Sequence, residues 1–262
     1  MIDFNFKKKY GQNFLSDENL LKAIVKDADV KGKDVLEIGA GSGALTKFLS
    51  LEANKVISFE IDKELEDILN SQKLKNTTFL FEDALKEPTN KIDDLFESNF
   101  HLVANLPYYI TTPLIFKFLE ESQKISSLTI MVQKEVAERI VACPNSKDYG
   151  ILTVMVAFYG SAKITRIVKR NMFTPMPNVD SAVVHISIDR NKYKDISPTS
   201  FSRFIKACFS MRRKTLANNL SSFYRLPKSA LDVISEYKNK RSEDLTIDEF
   251  LHIYKQLYDL IK

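Results

Sequence analysis

Cysteine and histidine are scarce in this chain. Cys143 and Cys208, and His101, His185 and His252, lie scattered through 262 residues without the spacing of a zinc site or a disulfide framework. No metal site is therefore expected, and both thiols read as buried and inert. No run of about 18 uninterrupted apolar residues is present, which leaves no candidate membrane-spanning helix. The N-terminus is polar and lysine-bearing with no apolar signal-peptide core behind it, so a cytoplasmic location is expected. Internal repeats, low-complexity tracts and long apolar heptads are also missing; the last points to a monomer. What the chain does have is 44% apolar residues at ordinary charge density, enough for a sizeable core and too apolar for disorder. Its length suits one large domain with a small appendage.

Charge is unevenly placed. Residues 1–189 hold 23 Lys and Arg against 26 Asp and Glu, whereas residues 190–262 hold 15 against 8, so the tail carries +7 and the rest −3. Scattered lysines would read as a solvated face. Here the basic side chains cluster: Arg212, Arg213 and Lys214 are contiguous, Arg203 and Lys206 lie upstream, and Lys163, Arg166, Lys169 and Arg170 form an acid-free stretch. A polyanionic partner is implied.

Short runs of Val, Ile, Leu and Phe alternate with segments of helical period, which predicts an α/β fold with a parallel sheet and crossover helices. Strands are expected at 34–38, 55–60, 78–81, 101–104 and 128–133. Ser16 is the expected N-cap of a first helix, and Thr112-Pro113 is expected to start another, with proline at the first helical position. Residues 164–170 and 182–188 read as a hairpin-like pair flanking the proline-rich segment 173–177. After residue 189 only helices are expected: Ser197-Pro198 opens one running through Phe209, Pro227 opens another, and a third spans 246–261. The domain boundary is placed accordingly, with an α/β domain at 1–189 and a basic helical domain at 190–262.

The first chemistry lies at Val35-Leu36-Glu37-Ile38-Gly39-Ala40-Gly41-Ser42-Gly43-Ala44, where three of seven glycines fall within five residues. A strand running into closely spaced glycines lets a ligand approach the main chain at a helix N-terminus. Gly39, Gly41 and Ala44 also satisfy the degenerate dinucleotide fingerprint, so this loop alone does not separate a methyl donor from a pyrophosphate. Glu60 ends the next strand, 21 positions after Gly39, where a carboxylate accepts from both hydroxyls of a ribose. Asp83 ends the third, placed to take the amine of an adenine, with Glu82 as the competing candidate. A nicotinamide enzyme would not require this second acid, nor the motif that follows.

Directly after the fourth strand stands Asn105-Leu106-Pro107-Tyr108. The exocyclic amine of adenine is a poor nucleophile because its lone pair is delocalised into the ring. The Asn105 side-chain oxygen and a main-chain carbonyl around Leu106 and Pro107 can hold its two N–H groups and aim the lone pair at a methyl donor. Proline stiffens the turn, and Tyr108 offers a ring for a flipped-out base. The alternative is an ordinary strand-to-helix turn with Tyr108 and Tyr109 as core aromatics.

With these residues in view, the chain resembles the ribosomal RNA adenine dimethyltransferases, specifically the bacterial small-subunit type. The likeness spans nearly the whole chain: Lys9-Tyr10-Gly11-Gln12-Asn13-Phe14-Leu15, the glycine loop, Glu60, Asp83, residues 105–108, Phe173-Thr174-Pro175-Met176-Pro177-Asn178-Val179-Asp180-Ser181, and residues 209–216. It implies a Rossmann-like sheet binding S-adenosyl-L-methionine, with Gln12, Asn13 and Leu15 closing over the donor and Gly39, Gly41, Glu60, Asp83 and Asn105 holding it. It also implies that Phe173 stacks on the target adenine opposite Tyr108, and that two adjacent adenines near the 3′ end of small-subunit RNA are dimethylated. By the residues alone, Phe173 is an aromatic beside a rigid turn and equally a core residue.

Lys169, Arg170, Arg203, Lys206, Arg212, Arg213 and Lys214 are the expected RNA contacts, and the expected partner is small-subunit ribosomal RNA in a pre-ribosomal particle. Large-subunit adenine methyltransferases share the catalytic half, but the segment 212–216 resembles the small-subunit branch. A nicotinamide oxidoreductase and a ribosome-assembly RNA-binding factor remain the competing readings.

Overall fold

The computed structural model, which describes residues 13–262, is built on a sheet of β2 (Asp34–Ile38), β3 (Lys55–Phe59), β4 (Thr77–Leu80), β5 (Phe100–Asn105), β6 (Ile125–Gln133), β7 (Gly160–Val168) and β9 (Ser181–Ile188); the short β1 (Phe14–Leu15) and β8 (Phe173–Thr174) pair apart from it. The sheet runs in the order β4-β3-β2-β5-β6-β9-β7. Strands β2 to β6 are parallel to their neighbours, and β9 closes antiparallel against β6. Near-continuous burial along β2, β3, β5 and β6 follows from helices covering both faces, and it explains why each announces itself as an apolar run.

The helices are α1 (Glu18–Ala28), α2 (Ala44–Glu52), α3 (Glu66–Ser71), α4 (Thr89–Asp94), α5 (Thr111–Glu121), α6 (Lys134–Ile140), α7 (Ile151–Tyr159), α8 (Pro198–Cys208), α9 (Leu216–Tyr224) and α10 (Ile247–Ile261). The start of α1 is capped by Asp17, not Ser16: the carboxylate accepts from Leu20 N–H at 2.8 Å, where it also meets the positive end of the helix dipole. Helix α5 begins at Thr111, so Pro113 stands third rather than first; any of the first N–H positions is free of an intrahelical partner, and proline fits there too. Ser197 caps α8, which ends at Cys208, and Thr246 caps α10 through a reciprocal bond with Glu249. Pro227 opens a 3-10 stretch over Lys228–Ile234 in place of an α-helix. Strand β7 starts four residues before the expected 164, and the link from it to β9 contains β8, whose Phe173 pairs with Leu15 of β1. Cys208 is buried, whereas Cys143 is exposed, because it follows α6 in a connecting loop.

The chain forms two compact units: one runs up to Ala137 and resumes at Ala162–Ile188, the other comprises Glu138–Ser161 and Asp189–Lys262. A linear boundary at 189/190 does not show that α7 belongs with the tail. This helix is apolar all round and so has no period to read. Within the second unit the Phe158 ring stacks on Phe201 at 4.6 Å and on Tyr193 at 5.6 Å, and Tyr149 donates its hydroxyl to Leu245 O at 2.7 Å. Phe201 is fully buried, with Tyr254 edge-on at 5.5 Å. Phe201→Ala is expected to lower the stability of this unit by about 3–5 kcal/mol, measured by urea unfolding.

Candidate active site

A cavity of about 160 Å3 opens at the carboxyl ends of β2, β3 and β5, the place where open α/β sheets bind ligands. The glycine loop forms one wall. Gly39 sits at φ +83° and Gly41 at φ +57°, and a β-carbon on Gly41 would come within 2.9 Å of the Phe14 ring. The loop is therefore glycine both for its backbone and for the aromatic lid that presses on it.

Glu60 forms the opposite wall. It is 5% exposed; one carboxylate oxygen accepts from Gly41 N–H and the other from Asp62 N–H, each at 2.8 Å. Burial pushes its pKa up, and the two backbone donors work against that shift. Asp83 accepts from Leu85 N–H at 3.1 Å and pairs with Lys86 at 3.5 Å; both it and Glu82 line the cavity. Ile61, Ala84 and Leu85 add apolar wall between the acids.

Asn105 ends β5 at the cavity, and its amide nitrogen donates to Asn13 O at 3.2 Å, which leaves Oδ1 as its acceptor end. Leu106 is buried and donates its N–H to Met131 O at 3.3 Å, while Pro107 O accepts from Ile110 N–H at 3.2 Å to close the turn. Tyr108 is half-buried with its hydroxyl 3.0 Å from Ser181 Oγ. Phe173 borders the cavity at 4% exposure and packs in the core with Leu15, Met131 and Val183, so it is wall and core at once.

The fold thus brings Asn13, Leu15, Gly39, Gly41, Glu60, Asp83, Asn105, Leu106, Pro107, Tyr108 and Phe173 to one cavity; Gln12 lies outside the described residues. Sequence reasoning assigned no role to Leu21, Ile61 and Leu114 and offered Tyr109 only as a core aromatic, which its 59% exposure corrects; all four also line the cavity. The three aliphatic side chains carry no signal that separates a cavity wall from a core.

Glu37 is a polar group whose structural role the sequence did not reveal. It is fully buried in β2, and one carboxylate oxygen takes the hydroxyls of Thr46 on α2 and Ser58 on β3, both at 2.6 Å. Its other oxygen is buried without a hydrogen-bond partner. Burial raises its pKa to about 7.

The basic residues divide between the two units. In the first, Lys169 pairs with Asp180 at 2.9 Å, and Arg170 N–H donates to the same carboxylate at 3.0 Å. The stretch 163–170 has no acid of its own, but Arg166 is bound at 2.7 Å by Asp27 of α1, 139 residues away in sequence. In the second unit Arg203 stacks over Tyr224 at 5.6 Å and Lys206 is exposed on α8. Arg212, Arg213 and Lys214 are exposed, with Arg212 donating to Lys147 O at 3.0 Å.

The family model described as ribosomal RNA adenine dimethylase matches residues 3–259. The chain belongs to the ribosomal RNA adenine dimethylase family. It is 43% identical to ribosomal RNA small subunit methyltransferase A of Phytoplasma australiense, over 96% of this chain and 92% of the relative. It is 42% identical to the protein of the same name from Clostridium botulinum (strain Langeland), over 99% and 96%. Among solved structures it is similar to a dimethyladenosine transferase from Plasmodium falciparum, at 28% identity and a TM-score of 0.81 over 94% of this chain and 98% of that one. It is also similar to the 23S rRNA methyltransferase ErmE, at 25% identity and a TM-score of 0.72 over 94% and 100%. As an adenine dimethylase the chain is a methyltransferase whose donor is S-adenosyl-L-methionine, and the nicotinamide reading of the glycine loop falls.

The elevated pKa of Glu37 has a testable sign. The folded state binds the proton more tightly than the unfolded state, so the stability it contributes is complete below about pH 4.5 and is lost as pH rises through about 7. Glu37→Gln keeps an acceptor for Thr46 and Ser58 but removes the charge. Urea unfolding from pH 5 to 8 should show wild-type stability falling relative to the variant, by on the order of 3 kcal/mol across the full titration.

Proposed function

We propose that this chain dimethylates N6 of two adjacent adenines near the 3′ end of small-subunit ribosomal RNA, acting in the cytoplasm as a monomer on a pre-ribosomal particle. Asn105 carries the reading. Its amide is anchored on Asn13 O at 3.2 Å, so that an acceptor remains at the tip of β5, in the cavity that holds Glu60 and the glycine loop.

The cavity suits an adenosyl donor on the chemistry of its walls. Glu60 fits a pair of ribose hydroxyls and Asp83 an adenine amine, with Ile61, Ala84 and Leu85 as apolar surface for a ring. Gly39 lets a ligand reach the main chain, and Asn13, Phe14 and Leu15 line the same cavity. When bound, S-adenosyl-L-methionine supplies a methyl group already activated on a sulfonium.

The protein's own task is then positioning. Asn105 Oδ1 and a carbonyl of the Leu106-Pro107 turn accept from the two N–H groups of the target amine and point its lone pair into the cavity. Tyr108 is held by Ser181 and Phe173 by its pairing with Leu15, and the two offer faces for an extruded base. The ammonium that methyl transfer leaves on N6 is a strong acid, so its proton passes to solvent without a dedicated base.

The basic second unit is the natural holder of RNA phosphates, through Arg203, Lys206, Arg212, Arg213 and Lys214, with Lys169 and Arg170 contributing from the first unit.

Asn105→Ala is expected to leave RNA affinity in place while abolishing transfer to small-subunit particles; unchanged turnover would remove this mechanism. Arg212→Ala combined with Arg213→Ala should weaken RNA binding and reduce the slope of log K against log salt by about 2. An unaltered slope in a titration between low and physiological salt would refute the tail assignment.

A further inference from the structure

Two consecutive tyrosines in the turn after β5 meet different surroundings. Tyr108 is half-buried with its hydroxyl held at Ser181, whereas Tyr109 borders the same cavity yet stands 59% exposed. One short piece of backbone carries both. It is closed by the bond from Ile110 N–H to Pro107 O at 3.2 Å and runs straight into α5, so the backbone positions from which the two side chains leave are set by the same turn. An exposed aromatic elsewhere on the surface would need no explanation. This one stands at the rim of the cavity that an extruded base enters.

Extruding a nucleotide strips its neighbour of a stacking partner and turns that neighbour's π-face to water. An aromatic ring at the rim restores the lost contact, and does so for any base because every base has a π-face. The mechanism above leaves Tyr109 unused: Asn105 and the turn carbonyl take the amine, and Tyr108 and Phe173 take the faces of the target. We propose that Tyr109 is a second stacking platform, which receives the nucleobase next to the extruded adenine, so that the enzyme reads a dinucleotide step rather than one base. This rests on the RNA-adenine reading of the cavity. Where the neighbour is the other adenine of the pair, Tyr109 holds it at the rim while the first occupies the pocket. Stacking needs only the ring, so phenylalanine serves in this role.

The test uses the full chain and unmethylated small-subunit particles reconstituted with RNA in which the other adenine is intact, abasic or replaced by 2-aminopurine. Affinity and methyl transfer to the remaining target are both read. Wild type and Tyr109→Phe should bind the abasic particle about tenfold more weakly than the intact one. Both should quench the 2-aminopurine fluorescence. Tyr109→Ala should bind intact and abasic particles alike and quench nothing, and Tyr109→Gln, an independent variant without an aromatic face, should match it. Wild type indifferent to the abasic site, or alanine and glutamine variants that still discriminate, would overturn the proposal. Failure of the underlying reading looks different: wild type would then transfer no methyl group to adenine in the intact particle.

Discussion

A single buried carboxylate sets the shape of the site. Glu60 reaches from the end of β3 to the N–H of Gly41 at 2.8 Å, and so fastens the loop after β2 to its neighbouring strand. The register of β2 with β3, Ile38 opposite Phe59, delivers the two ends at the same height, and Gly39 N–H completes the tie by donating to Phe59 O at 2.8 Å. With the loop held there, Gly41 lies against Phe14, and β1 can pair with β8, which brings Leu15 opposite Phe173. The donor side and the base side of the cavity thus share one set of fixed points. A carboxylate in this position must tolerate desolvation, and its two backbone donors are what make that tolerable.

Below it lies a second acid with a different balance. Glu37 joins β2, α2 and β3 through Thr46 and Ser58, with both hydroxyls on one oxygen. Three elements that diverge around the glycine loop are therefore tied at a polar point inside an apolar layer. A network of this kind fixes relative placement of strands and helix more sharply than aliphatic packing alone, at the cost of an orphaned oxygen.

Much of this was legible in the amino-acid sequence, and the pattern of success has a physical reason. β2 was read as 34–38 and is found there, because a strand buried on both faces is an apolar run bounded by polar residues. Glu60 and Asn105 stood out because each is a polar residue at the end of such a run, while Asp83 follows the half-buried β4 by three residues; a carboxyl end is where α/β sheets bind. Contacts that join distant segments left no local trace: Asn105 to Asn13 across 92 positions, Tyr108 to Ser181 across 73, and Arg166 to Asp27 across 139. Helix α7 was invisible for the opposite reason, being too uniformly apolar to show a face. Leu21 and Leu114 line the cavity in side chains that any core would use.

The helical second unit is assembled from two separate stretches of chain, and this bears on how its autonomy is judged. A fragment cut at residue 190 keeps every basic side chain of the tail but discards Phe158, whose ring lies flat on Phe201 and Tyr193. It discards Tyr149 as well, and with it the hydroxyl that satisfies Leu245 O. The excised piece would present a bare aromatic surface to water and associate through it, so polyanion affinity measured on such a peptide would report a sticky remnant. The smallest faithful carrier of the tail's chemistry includes residues 138–161, and the polypeptide reaches those only by first traversing the strands up to β6.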